Sequence, residues 1–231
     1  MSGAVFDREA YGSVTRRGKQ TVFILAIFFG ALPVSARAEG PVIVTLGDSL
    51  TAGFGLAPEF GFVAQLQAWL DAAGVEAEIV NGSVSGDTTA GGLSRLDWVV
   101  GPEVDAVIVE LGGNDLLRGL PPEAARDNLA QIMAKLDAKG VAALLAGLPA
   151  PTNYGADYKA SFDAIFPDLA AEHGAVYYPD FLKVIRDAGV LGGSKLLQAD
   201  GIHPNQDGVA KIVEDIGPAV VQLIKKVDAS S

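Results

Sequence analysis

Residues 42–50, VIVTLGDSL, pass from a β-branched apolar run into a Gly-Asp-Ser turn. A short run without polar alternation is what a strand covered on both faces of a sheet requires. Similar runs recur at 77–81, 106–111, 141–147 and 175–178. Between and after them, windows at 61–73, 88–98, 122–138, 158–172 and 207–226 carry helical periodicity. Strand–helix alternation of this kind predicts an α/β fold, a three-layer αβα sandwich around a five-stranded parallel sheet. Open sheets of this type bind ligands beyond the carboxyl ends of their strands. Ser49 follows the first run, Gly86 the second, Asn114 the third and Pro149 the fourth, so these residues converge on one sheet edge.

A strand that ends in a small-residue turn can hold a hydroxyl exposed over the sheet edge, which suits Ser49 to the role of nucleophile. Asp200-Gly201-Ile202-His203-Pro204 sets a carboxylate and an imidazole three residues apart, the pairing a serine needs to lose its proton. The chain has only two histidines. Ser49, His203 and Asp200 therefore read as nucleophile, base and orienting carboxylate. Each residue also has a plainer use. Ser49 would cap the turn after the first strand, and Asp48 reads as a turn or cap residue rather than a catalyst. Gly86 would serve the turn SGDT, Asn114-Asp115 a capped loop, and Asp200-Gly201 an ordinary turn. His173, before Gly174, fits a helix C-terminus. Asp180 and Asp187 have no matched partner.

The motifs come as ordered blocks: GDSL at 47–50, NGSVSGDTT at 81–89, LGGND at 111–115 and DGIHP at 200–204. In this order they resemble the SGNH (GDSL) hydrolase family, a resemblance that covers roughly residues 41–224. It implies the flavodoxin-like fold of that family and a serine hydrolase acting through a Ser-His-Asp triad and an acyl-enzyme. It also implies an oxyanion hole built from the backbone N–H of Ser49, the backbone N–H of Gly86 and the side-chain amide of Asn114. The wider strings GDSLTAGFGL and GLPAPTNYGADY (147–158) look like the bacterial branch of thioesterases, lysophospholipases and arylesterases. That branch implies a small acyl ester or thioester as substrate, with Leu50, Leu116 and Tyr154 binding it. Phe54, Leu56, Leu117, Leu120 and Phe181 are further candidates for an apolar groove, some of which would fill the core instead. The runner-up within the family is a carbohydrate O-acetylesterase. Outside hydrolysis, the sandwich would suit a flavin carrier, but the hydroxyl-rich loop follows the second strand rather than the first. A noncatalytic binding module would have lost part of the triad, and none is missing here.

Residues 16–38 have a different composition. Arg16, Arg17 and Lys19 precede an uncharged apolar run at 21–34, and Ala36-Arg37-Ala38 ends in an A-x-A pattern. This reads as a secretory signal peptide, residues 1–38, cleaved after Ala38. The run falls short of the ~20 apolar residues of a membrane span. The expectation is therefore a periplasmic or secreted protein, exported by the general route and without a stable membrane anchor. Residues 1–38 hold five of the 17 Lys and Arg and two of the 28 Asp and Glu. Residues 39–231 keep 12 against 26, a net charge of −14. Such a surface repels phosphate backbones, so nucleic acid is an unsuited partner. There is no cysteine, hence no disulfide, no thiol nucleophile and no Cys-based zinc site. No metal or cofactor is expected. Residues 39–231 suit a single domain with one large core.

Overall fold

The computed structural model describes residues 40–229, and the expected signal peptide lies outside them. Five strands, β1 (Val42–Gly47), β2 (Glu78–Asn81), β3 (Ala106–Glu110), β4 (Ala142–Ala146) and β5 (Val176–Tyr178), form one parallel sheet in the order β2-β1-β3-β4-β5. Ten α-helices are present among the described residues: α1 (Ser49–Ala52), α2 (Phe62–Ala72), α3 (Thr89–Val99), α4 (Gly113–Leu117), α5 (Pro122–Lys139), α6 (Ala156–Asp163), α7 (Ile165–Glu172), α8 (Lys183–Asp187), α9 (Gly189–Gly193) and α10 (Gln206–Asp228).

Strand side chains alternate between two cores, because successive Cβ atoms point to opposite faces. Ile43, Ile108 and Leu144 join Leu66 and Leu70 of α2 and Ile216 and Val220 of α10 on one face. Val44, Leu46, Val109 and Leu145 join Leu96 of α3, Leu129 and Ile132 of α5, and Phe162 and Phe166 of α6 and α7 on the other. The result is the three-layer sandwich. β3 is central, and all five of its residues are buried, which is why it reads as an unbroken apolar run apart from Glu110.

Two helices depart from expectation. The helix expected over 158–172 is two helices that meet at Ala164. Pro167 has no N–H to donate to the Asp163 carbonyl, whereas in the first turn of a new helix that donor is not needed. The chain accordingly restarts at Ile165. Pro218 by contrast sits inside α10 without ending it. It is exposed, as is Glu214 one turn earlier, so the carbonyl it leaves unpaired can bond water.

From β1 the chain goes to β2 on one side and returns to β3 on the other. The crevice between the carboxyl ends of β1 and β3 is therefore the topological switch point, where open α/β sheets place their ligands. Ser49 follows β1 and Asn114 follows β3.

Candidate active site

The turn that carries Ser49 is held from below. Asp48 caps α1, accepting the Leu50 N–H at 3.0 Å, and Gly53, at φ 80°, ends the helix after a single turn. Asp48 is thus the cap residue that its sequence context suggests, and it is 2 % exposed. Gly47 can only be glycine: an added Cβ would lie 2.1 Å from Thr51 Oγ1 and 2.9 Å from the Glu110 carbonyl oxygen. Burial pushes the Asp48 carboxyl up to about 6, against the pull of hydrogen bonds from Leu50 and Asn114. Fully buried Glu110, nearby, is pushed well above its ordinary value, first by burial and then by the Asp48 charge.

The 200–204 loop meets Ser49 from the other side. Asp200 Oδ1 accepts the backbone N–H groups of Ile202 and His203, at 2.9 and 3.0 Å. Its Oδ2 lies 2.6 Å from His203 Nδ1, and His203 Nε2 lies 2.9 Å from Ser49 Oγ. A carboxylate accepts only, so the Nδ1 proton points at Asp200 and leaves the Nε2 lone pair for the serine hydroxyl. The His203 hydrogen bond, followed by the two backbone donors, pulls Asp200 down to about 2. Phe54 packs on the imidazole with ring centroids 4.5 Å apart. Gln198 straps the two loops together, donating to the carbonyls of Phe54 at 2.7 Å and Pro204 at 2.9 Å. A lone Gln in a loop gave no signal of that in the sequence.

Asn114 and Gly86 approach from β3 and β2. The Asn114 amide donates to Asp48 Oδ2 at 3.1 Å, which fixes its nitrogen beside the Ser49 turn. Next to it, buried Asp115 accepts from the N–H and hydroxyl of Thr89, at 2.9 and 2.7 Å, tying α4 to the start of α3. Gly86 has φ 87°, a left-handed conformation, and an added Cβ would meet nothing within 4 Å. Backbone conformation is therefore what requires glycine there. The 82–87 loop is clamped by Arg95 of α3, which pairs with Asp87 at 2.5 Å and donates to the carbonyls of Gly82 and of Gly47, the latter at 2.9 Å. Arg118 donates to the Gly86 carbonyl at 2.8 Å. Arg95 and Glu110 carry no signal in the sequence beyond the anomaly of a Glu inside the run AVIVEL, and Asp115 reads there only as part of a capped loop.

Beside Ser49 opens an apolar cavity of about 280 Å³. Leu50, Leu116, Leu117, Leu148, Tyr154 and Ile202 line it together with Asp48, Ser49 and Asn114, and Arg186 stands at its wall. Leu50, Leu116 and Tyr154 are thus brought to one space. Phe181 is not: it is 1 % exposed and packs on Phe62 in the core. A depression of about 440 Å³ lies at the opposite end of the sheet, next to the starts of β3 and β4. Its lining is more polar and contains no hydroxyl side chain. Among the described residues no cluster of His, Asp and Glu could hold a metal ion. His173 caps α7 and faces Asp137 at 2.6 Å. Asp180 pairs with Arg186 and Asp187 with Lys183, so both acids serve local ion pairs.

The sequence model of the GDSL-like Lipase/Acylhydrolase family matches residues 45–211, from the Ser49 turn through the His203 loop. The chain belongs to that family. It is 38 % identical over 192 residues to Esterase TesA of Pseudomonas aeruginosa, covering 83 % of this chain and 93 % of the relative. It is 36 % identical over 202 residues to Thioesterase 1/protease 1/lysophospholipase L1 of Escherichia coli, covering 87 % and 93 %. Among solved structures it is similar to the psychrotrophic esterase EstA from Pseudoalteromonas, inhibited by monoethylphosphonate. That match has a TM-score of 0.72 at 34 % identity, covering 78 % of this chain and 97 % of the other.

Proposed function

We propose that the chain hydrolyses carboxylic esters and thioesters with Ser49 as nucleophile, His203 as general base and Asp200 as its orienting carboxylate. The observation that carries this reading is the unbroken Asp200–His203–Ser49 relay, at 2.6 and 2.9 Å, at the mouth of an apolar cavity. Ser49 Oγ attacks the acyl carbon as its proton passes to His203 Nε2, and Asp200 stabilises the imidazolium. The oxyanion that forms is met by the N–H groups of Ser49 and Gly86 and by the Asn114 amide. Collapse expels the alcohol or thiol, which takes the proton from His203, and leaves acyl-Ser49. Water, deprotonated by His203, repeats the attack, releasing the acid and returning the serine proton.

The relatives named esterase and thioesterase support both substrate types. The apolar lining favours an acyl chain over an acetylated sugar, which would need polar partners. Each buried methylene should contribute up to ~0.8 kcal/mol until the cavity fills. Activity on nitrophenyl esters and acyl-CoA thioesters should therefore rise with acyl length, level off, and disappear in folded Ser49→Ala. A series that peaks at acetyl and collapses by hexanoyl would favour the O-acetylesterase reading instead.

Export completes the proposal: residues 1–38 act as a cleaved signal peptide, and residues 39–231 form a single catalytic domain that is released to the periplasm or medium. Among the described residues no helix is long and apolar enough to cross a membrane. The net charge of −14 on residues 39–231 disfavours nucleic acid as a partner.

A further inference from the structure

Beneath the Ser49 turn lie two carboxyl groups that the chemistry above leaves unused. Glu110 closes β3 with no exposed surface, and Asp48 is 2 % exposed. The two approach within hydrogen-bond reach of each other. Among the described residues neither joins an ion pair. Two carboxylates have no hydrogen to share, and Glu110 Oε1 is buried without a partner. A single proton on the pair removes the repulsion.

The deeper acid is the one to hold that proton. Glu110 has the Thr51 hydroxyl at 3.3 Å and the Asp48 backbone N–H as donors, weak support for a fully desolvated anion. Asp48 accepts from Leu50 N at 3.0 Å and Asn114 Nδ2 at 3.1 Å, both suited to an anion. The direction of the shifts agrees: Glu110 is pushed well above its ordinary value, and Asp48 only to about 6.

We propose that Glu110 is a positioning residue: protonated at neutral pH, it donates to Asp48, so that Asp48 stays anionic and pins one N–H of the Asn114 amide, leaving the other for the oxyanion. The anion matters because an amide has two different ends. A carboxylate only accepts and so selects the nitrogen, whereas a protonated Asp48 could donate to the amide oxygen and turn the amide around. The inference rests on Asn114 serving as an oxyanion donor.

Infrared spectroscopy of the purified protein at neutral pH tests the proton directly. A carbonyl stretch of a buried, protonated carboxylic acid is expected in the wild type and absent from Glu110→Gln. No such band in the wild type, or a band that persists in the variant, would overturn the proposal. Kinetics then test the role. Glu110→Leu should lower kcat about tenfold, a fraction of the 10² to 10³ for removing a donor outright, with KM changed less than about twofold. Glu110→Gln keeps a donor and should restore most of kcat, and an equal loss in both variants would count against the proposal. In an Asn114→Ala background, Glu110→Leu should cost nothing further. If Asn114→Ala alone leaves kcat unchanged, the oxyanion reading fails. If it lowers kcat but the Glu110 effect is the same in both backgrounds, only the present inference fails. Should Glu110→Leu not fold, the infrared band and the Glu110→Gln variant in both backgrounds still decide.

Discussion

Asp48 and Asp200 are the same residue type, each is linked by one hydrogen-bonded side chain to the reacting centre, and their acidities move in opposite directions. Asp200 is pulled down to about 2 because three N–H donors converge on a solvent-accessible carboxylate. Asp48 is pushed up to about 6 because burial outweighs the hydrogen bonds from Leu50, Asn114 and Glu110. Wet and well bonded, Asp200 costs little to keep ionised and can serve the positive charge that grows on His203. Asp48 is dry, and the strain of its charge is spent on placing a neutral amide. In the mechanism proposed here, a carboxylate's task at this sheet edge is set by which of its two forms the surroundings favour.

Changing each member of the comparison should have a distinct size and signature. Asp200→Asn keeps an acceptor for Ile202 and His203 but lets the imidazole present the wrong tautomer to Ser49. By analogy with serine protease triads, kcat should fall roughly 10³- to 10⁴-fold with little change in stability. A loss under tenfold would remove Asp200 from the triad. Asn114→Ala comes next: kcat should drop roughly 10²- to 10³-fold while KM moves little, since the amide is needed when charge appears on the oxygen. A pure KM effect would make Asn114 a substrate-positioning group.

The smallest effect is on stability and has a definite sign. Folded Asp48 holds its proton up to about pH 6, whereas an unfolded aspartate loses it near 4. The native state therefore binds more protons in that window, and stability from this group falls as pH rises from about 4 to about 6. Above it, the buried charge costs roughly 1 to 3 kcal/mol. Asp48→Asn should raise the urea midpoint at pH 8 by an amount worth about 1 to 2 kcal/mol and give much less near pH 4. It should also slow turnover about tenfold, because an amide no longer selects one end of Asn114. Equal stability at both pH values would contradict the burial account.

The sheet was legible because its strands are covered on both faces, and such runs as VIVTL and AVIVEL leave little choice of structure. Ser49, His203, Asp200 and Asn114 were legible because each sits in a short motif just past a strand or ahead of a helix. Their supports were not. Arg95 looks like any charged helix residue until the fold brings the Gly47 and Gly82 carbonyls to it. Asp115 gains its meaning from Thr89, 26 residues earlier in the chain. The one-turn helices α1 and α4 carry too few residues to show a period, and the break at Ala164 is a local effect of Pro167 inside a continuous apolar pattern. Gly86, legible as a turn residue in SGDT, has the positive φ that favours glycine in such a turn.

The proposed mechanism rests on one hydroxyl, that of Ser49, activated by His203. Treating the protein with a fluorophosphonate and mapping the adduct by mass spectrometry tests it most directly. One phosphonyl group per chain is expected, on Ser49, formed in step with the loss of esterase activity and absent from Ser49→Ala and His203→Ala. An adduct on another residue, or full esterase activity in protein labelled at Ser49, would contradict it.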